Sequence, residues 1–330
     1  MTAGYDSLCL SYTLQFYWVS LPFFPFSGTM SASVVDRLEF SGFFTMGKLS
    51  RADLTNANGV LVDLTKCMGC GSCVVACKMH NGNKWVDDRT DMWGRDRSAP
   101  AIGENAELAD ENWTVIQKHR VPLEGGGEVW RYVKKQCLHC KDPACVSSCF
   151  ATAFKQTESG AVAYHPNLCV GCRYCMLACP FSVPKFQWDK PFPMLTKCSM
   201  CGDRVANGDA PACVSVCPTN VMTFGKHADL LEEARKRIAA PGSQYVQHIY
   251  GQEEAGGTLW LYISDKPFEE LGFRPNVPKH SIPDNTSNFM FATPRVGIVW
   301  FAILSVLYWF TKRRSDVKKK KEEAKMETQA

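Results

Sequence analysis

The sequence predicts an α+β fold in which one kind of cysteine-rich unit occurs twice and a single apolar helix follows. Two observations support this prediction. Sixteen of the 17 cysteines fall into four quartets with short strand and helix signals between them, which is typical of a duplicated unit. Near the C-terminus, residues 296–310 (VGIVWFAILSVLYWF) carry no charge. The 330 residues would allow two domains on size alone, but we expect one cysteine-rich domain with inserts and a membrane anchor.

The two middle quartets lie close together, within residues 136–180. They are Cys137, Cys140, Cys145, Cys149 and Cys169, Cys172, Cys175, Cys179. The second quartet has the spacing C-x2-C-x2-C-x3-C-P, the bacterial ferredoxin pattern for a [4Fe–4S] cluster. Three thiolates two residues apart can bind three irons of one cubane, whereas the fourth lies on the following helix and reaches the other cluster of a pair. We therefore expect a bacterial-ferredoxin-like unit with two clusters.

The two outer quartets are expected to pair in the same crosswise manner. They are Cys67, Cys70, Cys73, Cys77 and Cys198, Cys201, Cys213, Cys217. The last quartet has a longer middle gap (GDRVANGDAPA), whose Gly, Asp, Asn and Pro content predicts a surface loop. Four [4Fe–4S] clusters follow, with these predicted ligand sets: Cys67, Cys70, Cys73 and Cys217; Cys77, Cys198, Cys201 and Cys213; Cys137, Cys140, Cys145 and Cys179; Cys149, Cys169, Cys172 and Cys175.

Disulfides and zinc are the alternatives for so many cysteines. A disulfide framework is typical of small secreted chains, and this chain is too long for that class. Zinc sites usually use two C-x2-C pairs far apart and have no use for the third and fourth cysteines of this pattern. The spacing therefore favours iron–sulfur clusters, with a zinc-loaded scaffold as the competing hypothesis.

The segment before the first quartet contains no recognisable export signal. Residues 8–26 are rich in aromatic side chains, but no Lys or Arg precedes Arg37. A secretory signal needs a positively charged start and a twin-arginine signal needs its Arg pair. We expect translation to begin downstream, at Met30 or Met46, with a degenerate membrane anchor as the alternative. Cys9 lies here and is assigned no role.

Short elements are predicted around the first three quartets. A strand over residues 59–64 (GVLVDL) should lead into Cys67, and a helix over residues 74–80 should carry Cys77. Residues 81–131 form a polar insert whose four tryptophans are expected to pack over the clusters and exclude water. A strand beginning at Trp130 should lead to Cys137.

The remaining elements follow Cys149. A turn at residues 158–160 predicts a hairpin, and residues 185–188 are a further strand candidate. An amphipathic helix over residues 229–240 ends before Pro241, and a strand is expected over residues 257–264. The predicted domain boundaries are as follows: 1–58 extension, 59–265 four-cluster domain with the insert at 81–131, 266–288 linker, 289–311 transmembrane helix and 312–330 basic cytoplasmic tail.

The C-terminal segment predicts a single membrane span. Residues 289–311 are long enough to cross a bilayer, and Arg295 can extend to the interface. The basic tail that follows favours a membrane helix over a buried core helix. By the positive-inside rule the tail stays in the cytoplasm, so the cysteine-rich domain would be periplasmic.

The net charge of +4 gives no sign of nucleic-acid binding. The tail from Lys312 onward supplies the whole excess, and the rest of the chain is balanced. Four oxidised cubanes, each adding about −2 with its thiolates, would make the loaded chain roughly −4.

With its four quartets, the chain resembles the four-cluster iron–sulfur (beta) subunits of membrane-bound respiratory oxidoreductases. It is similar to the beta subunits of the molybdopterin superfamily, such as periplasmic formate dehydrogenase, and more similar to the HybA-type subunit of periplasmic nickel–iron hydrogenase. The resemblance covers about residues 59–315 and is carried by QCLHCKDPACVSSC, CVGCRYCMLACPFSVPKF and KCSMCGD…ACVSVCPTNVMTFG. The cysteine motifs are highly specific for the superfamily and moderately specific for the hydrogenase branch.

This resemblance implies an electron-transfer subunit that is not catalytic by itself. Its expected partners are a hydrogenase or molybdopterin catalytic subunit and an integral membrane subunit of the NrfD-like or cytochrome b kind, in the cytoplasmic (inner) membrane. Two departures stand out, since no twin-arginine signal is found and Cys77 and Cys149 are not followed by proline. All sixteen ligands are present, so no three-iron cluster is expected. His139, between Cys137 and Cys140, is expected to be a surface or loop histidine.

Overall fold

The computed structural model describes residues 57–84, 100–123, 125–188 and 190–329. The chain separates into Met1–Met46 and Gly47–Ala330, and all described residues belong to the second unit. The predictions for residues 1–56, including the start sites and Cys9, lie outside the described residues, as do Trp85 and Trp93 of the insert.

The described chain alternates short strands and helices. The strands are β1 Asn58–Asp63, β2 Ile102–Gly103, β3 Val115–Pro122, β4 Glu128–Lys135, β5 Phe154–Gln156, β6 Val162–Tyr164, β7 Lys185–Phe186, β8 Leu195–Thr196, β9 Met222–Lys226 and β10 Trp260–Ile263. The α-helices are α1 Ser72–Asn81, α2 Ala144–Ser147, α3 Tyr174–Ala178, α4 Gly202–Ala206, α5 Ala212–Ser215, α6 His227–Ala239 and α7 Asp284–Gln329.

A three-stranded sheet of order β10-β1-β9 forms the centre of the fold. β1 is parallel to β10 and antiparallel to β9, with Val60 opposite both Trp260 and Phe224. Both faces of β1 are buried, which fits its continuous apolar sequence. α6 covers one face through Leu230, Ala234 and Ile238. Because β1 ends where β9 begins, the sheet brings the cysteines after β1 close to the cysteine before β9.

The predicted insert supplies a second sheet, of order β2-β3-β4. β3 and β4 are a long antiparallel hairpin that pairs Val115 with Lys135. Its side chains Ile116, Val121 and Val133 join the main core. The described part of the insert is therefore packed against the cysteine-rich domain, whereas its predicted cover over the clusters stays a prediction.

Two small hairpins, β5–β6 and β7–β8, surround the middle cysteines. Phe154, Val162, Phe186 and Leu195 form a separate small core there with Cys175. The two cysteine-rich units are therefore not built alike, because one rests on the three-stranded sheet and the other on two short hairpins. The predicted duplication holds for the cysteine arrangement rather than for the strands around it.

Two sequence predictions are corrected by the structure. The gap between Cys201 and Cys213 is not simply a surface loop, since it contains α4 and its Val205 is buried. The segment 266–288, predicted to be a linker, packs on the core through Phe268, Leu271 and Phe273. Apolar residues separated by Gly and Pro gave no periodic signal, so the composition suggested a linker where the chain is buried.

α7 is the helix in the described part of the chain that is long and apolar enough to cross a membrane. An 18-residue segment within Asp284–Met326 reaches a mean hydropathy of 1.7, and the whole of that segment is exposed. Pro294 lies within the helix near its beginning. An uncovered apolar helix of this kind fits a membrane anchor.

One partly buried ion pair joins the insert to the domain, and its loss should destabilise the fold. The Arg131 guanidinium donates to both carboxylate oxygens of Asp265, at 3.0 and 2.5 Å. We expect Asp265→Asn to lower the free energy of unfolding by about 1.5–3 kcal/mol, the usual worth of hydrogen bonds to charged groups. The pair opposes the effect of burial and lowers the pKa of Asp265.

The pH dependence of that pair follows from the lowered pKa. Its stabilisation is fully present above the unfolded pKa of about 3.9 and is lost as the pH falls through the folded pKa. Thermal unfolding of the wild type and Asp265→Asn should therefore differ at pH 7 and converge in acid. Glu128→Gln, which changes an exposed partner of Arg120 on the same hairpin, is the control, and an equal loss in both variants would contradict this assignment.

Candidate metal centres

The sixteen described cysteines form no disulfides, and the effects of their thiols on one another group them in four sets of four. The sets are recognised because the thiols in each raise the pKa values of their neighbours. Each combines three cysteines of one sequence quartet with one from its partner. We call them site A (Cys67, Cys70, Cys73, Cys217), site B (Cys77, Cys198, Cys201, Cys213), site C (Cys137, Cys140, Cys145, Cys179) and site D (Cys149, Cys169, Cys172, Cys175).

Site A lies at the end of the central sheet. The loop from Cys67 to Cys73 turns at Gly69 and Gly71, both of which have a positive φ. A Cβ at Gly69 would overlap the ring of Tyr132, so glycine is required there for space as well. The loop lines an open cavity together with Cys217 and Lys134.

The protonation behaviour of site A reflects its uneven burial. Burial raises the pKa of Cys73 to about 12, with Cys213 and Cys67 adding to the rise and Lys134 opposing it. By contrast, hydrogen bonds from Ser72 lower the pKa of Cys70, which is exposed. Site A therefore has a covered side and a side open to solvent.

Site B is formed where α1 packs against α5. Cys77 lies on α1 and Cys213 on α5, while Cys198 and Cys201 lie in the segment after β8. All four cysteines are buried. Burial raises the pKa of Cys198 well above its usual value, and Cys77 and Cys137 raise it further. Site B is the most enclosed of the four sites.

Site C gathers the loop after β4, the start of α2 and the end of α3. Burial raises the pKa of Cys140 well above its usual value, with added effects from Cys179, Cys137 and Cys145. Burial likewise raises the pKa of Cys179.

Site D follows from the contact between α2 and α3. Cys149 comes directly after α2 and Cys175 lies on α3. Burial raises the pKa of Cys175 to about 12, and Cys149, Cys169 and Cys172 raise it further. Cys172 is exposed, as Cys70 is in site A.

Electrostatic effects between thiols link the four sites in the order A, B, C, D, and we call this succession the row of sites. Thiols of neighbouring sites act on each other, since Cys213 raises the pKa of Cys73, Cys137 that of Cys198, and Cys175 that of Cys145. Cys70 and Cys172 are the two exposed cysteines of the sixteen, and they belong to the two sites at the ends of the row.

Backbone N–H groups donate to thiol sulfurs in several of the sites. Ala153 donates to Cys149 at 3.3 Å, Gly171 to Cys169 at 3.4 Å, Met200 to Cys198 at 3.3 Å and Val221 to Cys217 at 3.4 Å. Such bonds favour the thiolate form and help to set the reduction potential of a bound iron–sulfur cluster.

The described thiols are not gathered around a single point, which fits a polynuclear group better than a single ion. Four thiolates on one tetrahedral zinc at about 2.3 Å would lie roughly 3.8 Å from each other. Among the described residues, no three His, Cys, Asp or Glu side chains converge closely enough to hold one metal ion. Four thiols that share a site without converging on one point are the donor set that a [4Fe–4S] cubane needs.

A buried histidine beside site C is a second observation that the site fits a sulfur-rich group. His139 is fully buried, so its prediction as a surface residue is wrong, although it does lie in a loop. Its Nδ1 accepts the N–H of Val162 at 2.9 Å, which places the proton on Nε2. That Nε2 has no hydrogen-bond acceptor in the described structure. A sulfur-rich group bound nearby would supply the acceptor that a buried donor requires.

Comparisons with known proteins agree with this chemistry. Two models of the 4Fe-4S dicluster domain match the chain, over residues 66–153 and 128–227. The hydrogenase-2 operon protein HybA of Escherichia coli O157:H7 is 32% identical over 292 residues, which cover 81% of this chain and 87% of HybA. The chain belongs to the family of respiratory iron–sulfur subunits that includes HybA.

Further relatives place this iron–sulfur subunit in the same group. The iron–sulfur subunit of the nitrate-inducible formate dehydrogenase of Escherichia coli K12 is 34% identical over 225 residues, 66% of this chain and 72% of that protein. A protein of Nitratidesulfovibrio vulgaris without a descriptive name is 38% identical over 265 residues, 78% of this chain and 68% of its own length. The resemblance inferred from the cysteine motifs is thus confirmed.

The sequence did not reveal which polar side chains accompany the thiols in this iron–sulfur subunit. Lys134 is 1% exposed, Lys197 6% and His139 0%, although lysine is almost never fully buried and histidine only sometimes. Each lies within three residues of a predicted ligand, which is the one signal that could have pointed to them. The alternation of buried and exposed residues along β4 could not have pointed to Lys134, because Val133 and Lys134 are both buried.

Proposed function

We propose that this iron–sulfur subunit carries electrons between a catalytic subunit and a quinone-reactive membrane subunit. Four [4Fe–4S] clusters, bound at sites A to D, would supply one-electron carriers. The observation that supports this proposal best is the row of sites, whose two ends carry the two exposed cysteines. A protein that relays electrons between two partners needs an accessible centre at each end and enclosed centres between them.

The ligand sets proposed here are the four crosswise sets predicted from the sequence. The thiols of site B would hold their cluster in the interior, where α1 and α5 exclude water. We also propose that the four-cluster domain is followed by the anchor within α7. The domain would lie in the periplasm and the basic tail in the cytoplasm.

A nickel–iron hydrogenase is the preferred catalytic partner, because the HybA relative is aligned over 87% of its length. A molybdopterin enzyme of the formate dehydrogenase kind is the alternative, since formate dehydrogenase subunits are also relatives. An integral membrane subunit of the NrfD-like or cytochrome b kind would complete the assembly.

Affinity purification of the full chain from detergent-solubilised membranes, kept free of oxygen, tests both parts of the proposal. About sixteen irons and as many sulfides per chain are expected from four cubanes. Nickel in the purified complex would identify a hydrogenase, and molybdenum or tungsten the alternative partner. Zinc without acid-labile sulfide would overturn the electron-transfer proposal and favour a membrane-tethered metal scaffold.

A further inference from the structure

A lysine side chain is buried between sites A and B. Lys134 is the penultimate residue of β4 and is 1% exposed. It lines the cavity of site A beside Cys67, Cys73 and Cys217. Its ammonium group also acts on the thiols of site B, because it opposes the rise in the pKa values of Cys77 and Cys198. One cation is therefore close to both sets of ligands.

The position of the ammonium group is fixed by neutral neighbours. Nζ donates to Oε1 of Gln136 at 2.7 Å, and Gln136 in turn donates to the Tyr262 hydroxyl at 2.7 Å. The Tyr262 hydroxyl donates back to the carbonyl of Lys134 at 3.1 Å, which closes a small buried network. Nζ also lies 4.4 Å from the centre of the Trp260 ring. These contacts orient the charge but do not neutralise it.

Among the described residues, Lys134 forms no ion pair with Asp or Glu within 4.0 Å, so no carboxylate neutralises it. A buried charge without a counter-charge is costly, so such groups are almost always paired. The groups that act most strongly on Lys134 and become negative when they bind iron are the ligand cysteines, principally Cys213, Cys73, Cys198 and Cys77. A loaded cubane with four thiolates is negative in total, so the bound clusters are the counter-charge that this lysine lacks.

We propose that Lys134 is a shared counter-charge that raises the reduction potentials of the clusters at sites A and B. This inference rests on the proposed function. A fixed positive charge stabilises the form with one more electron, so reduction becomes easier. Both sites should be affected, because Lys134 lines the cavity of site A and its charge also acts on thiols of site B.

Two other lysines provide a contrast. Lys135 is the next residue of β4 and donates to the carbonyl of Gly272, away from the thiols. Lys197 is buried too, but its Nζ donates to the carbonyls of Val162 and Cys198 and acts on Cys145 of site C. Lys135 is therefore a matched control on the same strand.

The experiment is a dithionite titration of the full-length chain in detergent, followed by EPR, with iron and sulfide measured for each variant. Lys134→Met removes the charge and keeps the length of the side chain. We expect the reduction equilibrium constant of at least one cluster to fall tenfold or more, which is 59 mV for one electron. Lys134→Arg should remain near the wild type, and Lys135→Met should leave all four potentials unchanged.

The outcomes separate this inference from the proposed function. If the wild-type chain holds no iron–sulfur clusters, the proposed function itself fails. If Lys134→Met is fully loaded and its potentials equal those of the wild type, only the role of Lys134 is overturned.

If Lys134→Met does not load, Lys134→Gln replaces it, since an amide can still reach Gln136. If neither neutral variant loads, a loaded Lys134→Arg supports the need for a cation, whereas an unloaded Lys134→Arg would make Lys134 a packing residue and overturn the proposal.

Discussion

Replacing Cys77 and replacing Cys213 with alanine should remove the same cluster, although the two residues are 136 positions apart in the sequence. Both thiols belong to site B, where α1 packs against α5. Each variant should lose about four irons per chain, since one cubane holds four. The EPR signal that disappears should be the same in both variants and should differ from the signal lost in Cys73→Ala and Cys217→Ala, which belong to site A.

The competing arrangement binds one cluster with each uninterrupted sequence quartet. In that case Cys77→Ala would remove the same signal as Cys73→Ala, and the crosswise sets would be wrong. Lys135→Met is the control, because Lys135 donates to the carbonyl of Gly272 and belongs to no ligand set, so its replacement should leave the iron content unchanged.

The same variants should interrupt electron transfer through the complex. Site B is second in the row, because its thiols are linked both to Cys73 of site A and to Cys137 of site C. Even changes outside the metal ligands commonly cost 10–100-fold in affinity or activity, so loss of the cluster should reduce quinone-linked turnover by more than about 100-fold. Reduction of an artificial acceptor by the catalytic subunit alone should persist, which separates a broken relay from a damaged catalytic centre.

The crosswise grouping predicted from the cysteine spacing rests on a geometric constraint. Three thiolates two residues apart can bind one cluster, and the fourth, on the following helix, can reach the other. The glycines at 69 and 71 could be assigned to the turn for the same reason, since the backbone there needs a positive φ. These features are local, and local spacing in the sequence is enough to predict them.

The features that the sequence did not predict depend on contacts between distant segments. Lys134 is buried because Tyr262 and Trp260, more than a hundred residues later, close over it. Phe268 and Leu271 are buried because the segment after β10 folds back onto the core, whereas its composition is that of a linker. The row of sites likewise depends on packing between the two cysteine-rich units. The spacing within each quartet contains no information about that packing.

The apolar part of α7 should hold the chain in the membrane with its C-terminus in the cytoplasm. The 23 residues of 289–311 rise about 35 Å at 1.5 Å per residue, enough for a hydrocarbon core of about 30 Å. A chain truncated after residue 288 should be released by alkaline carbonate, whereas the full chain should stay in the pellet. The basic residues after Thr311 fix the orientation, because Lys and Arg close to a span are retained on the cytoplasmic side.

Reporter fusions distinguish the two orientations. Alkaline phosphatase, which is active only after export, should be active when fused before Phe289 and inactive when fused after Lys321. β-Galactosidase at the same two positions should give the opposite pattern and serves as the matched control. The reverse pair of results would place the cysteine-rich domain in the cytoplasm. The catalytic partner would then have to lie on that side as well. Cys70 and Cys172, at the two ends of the row, both belong to the cysteine-rich domain and would be in the cytoplasm with it.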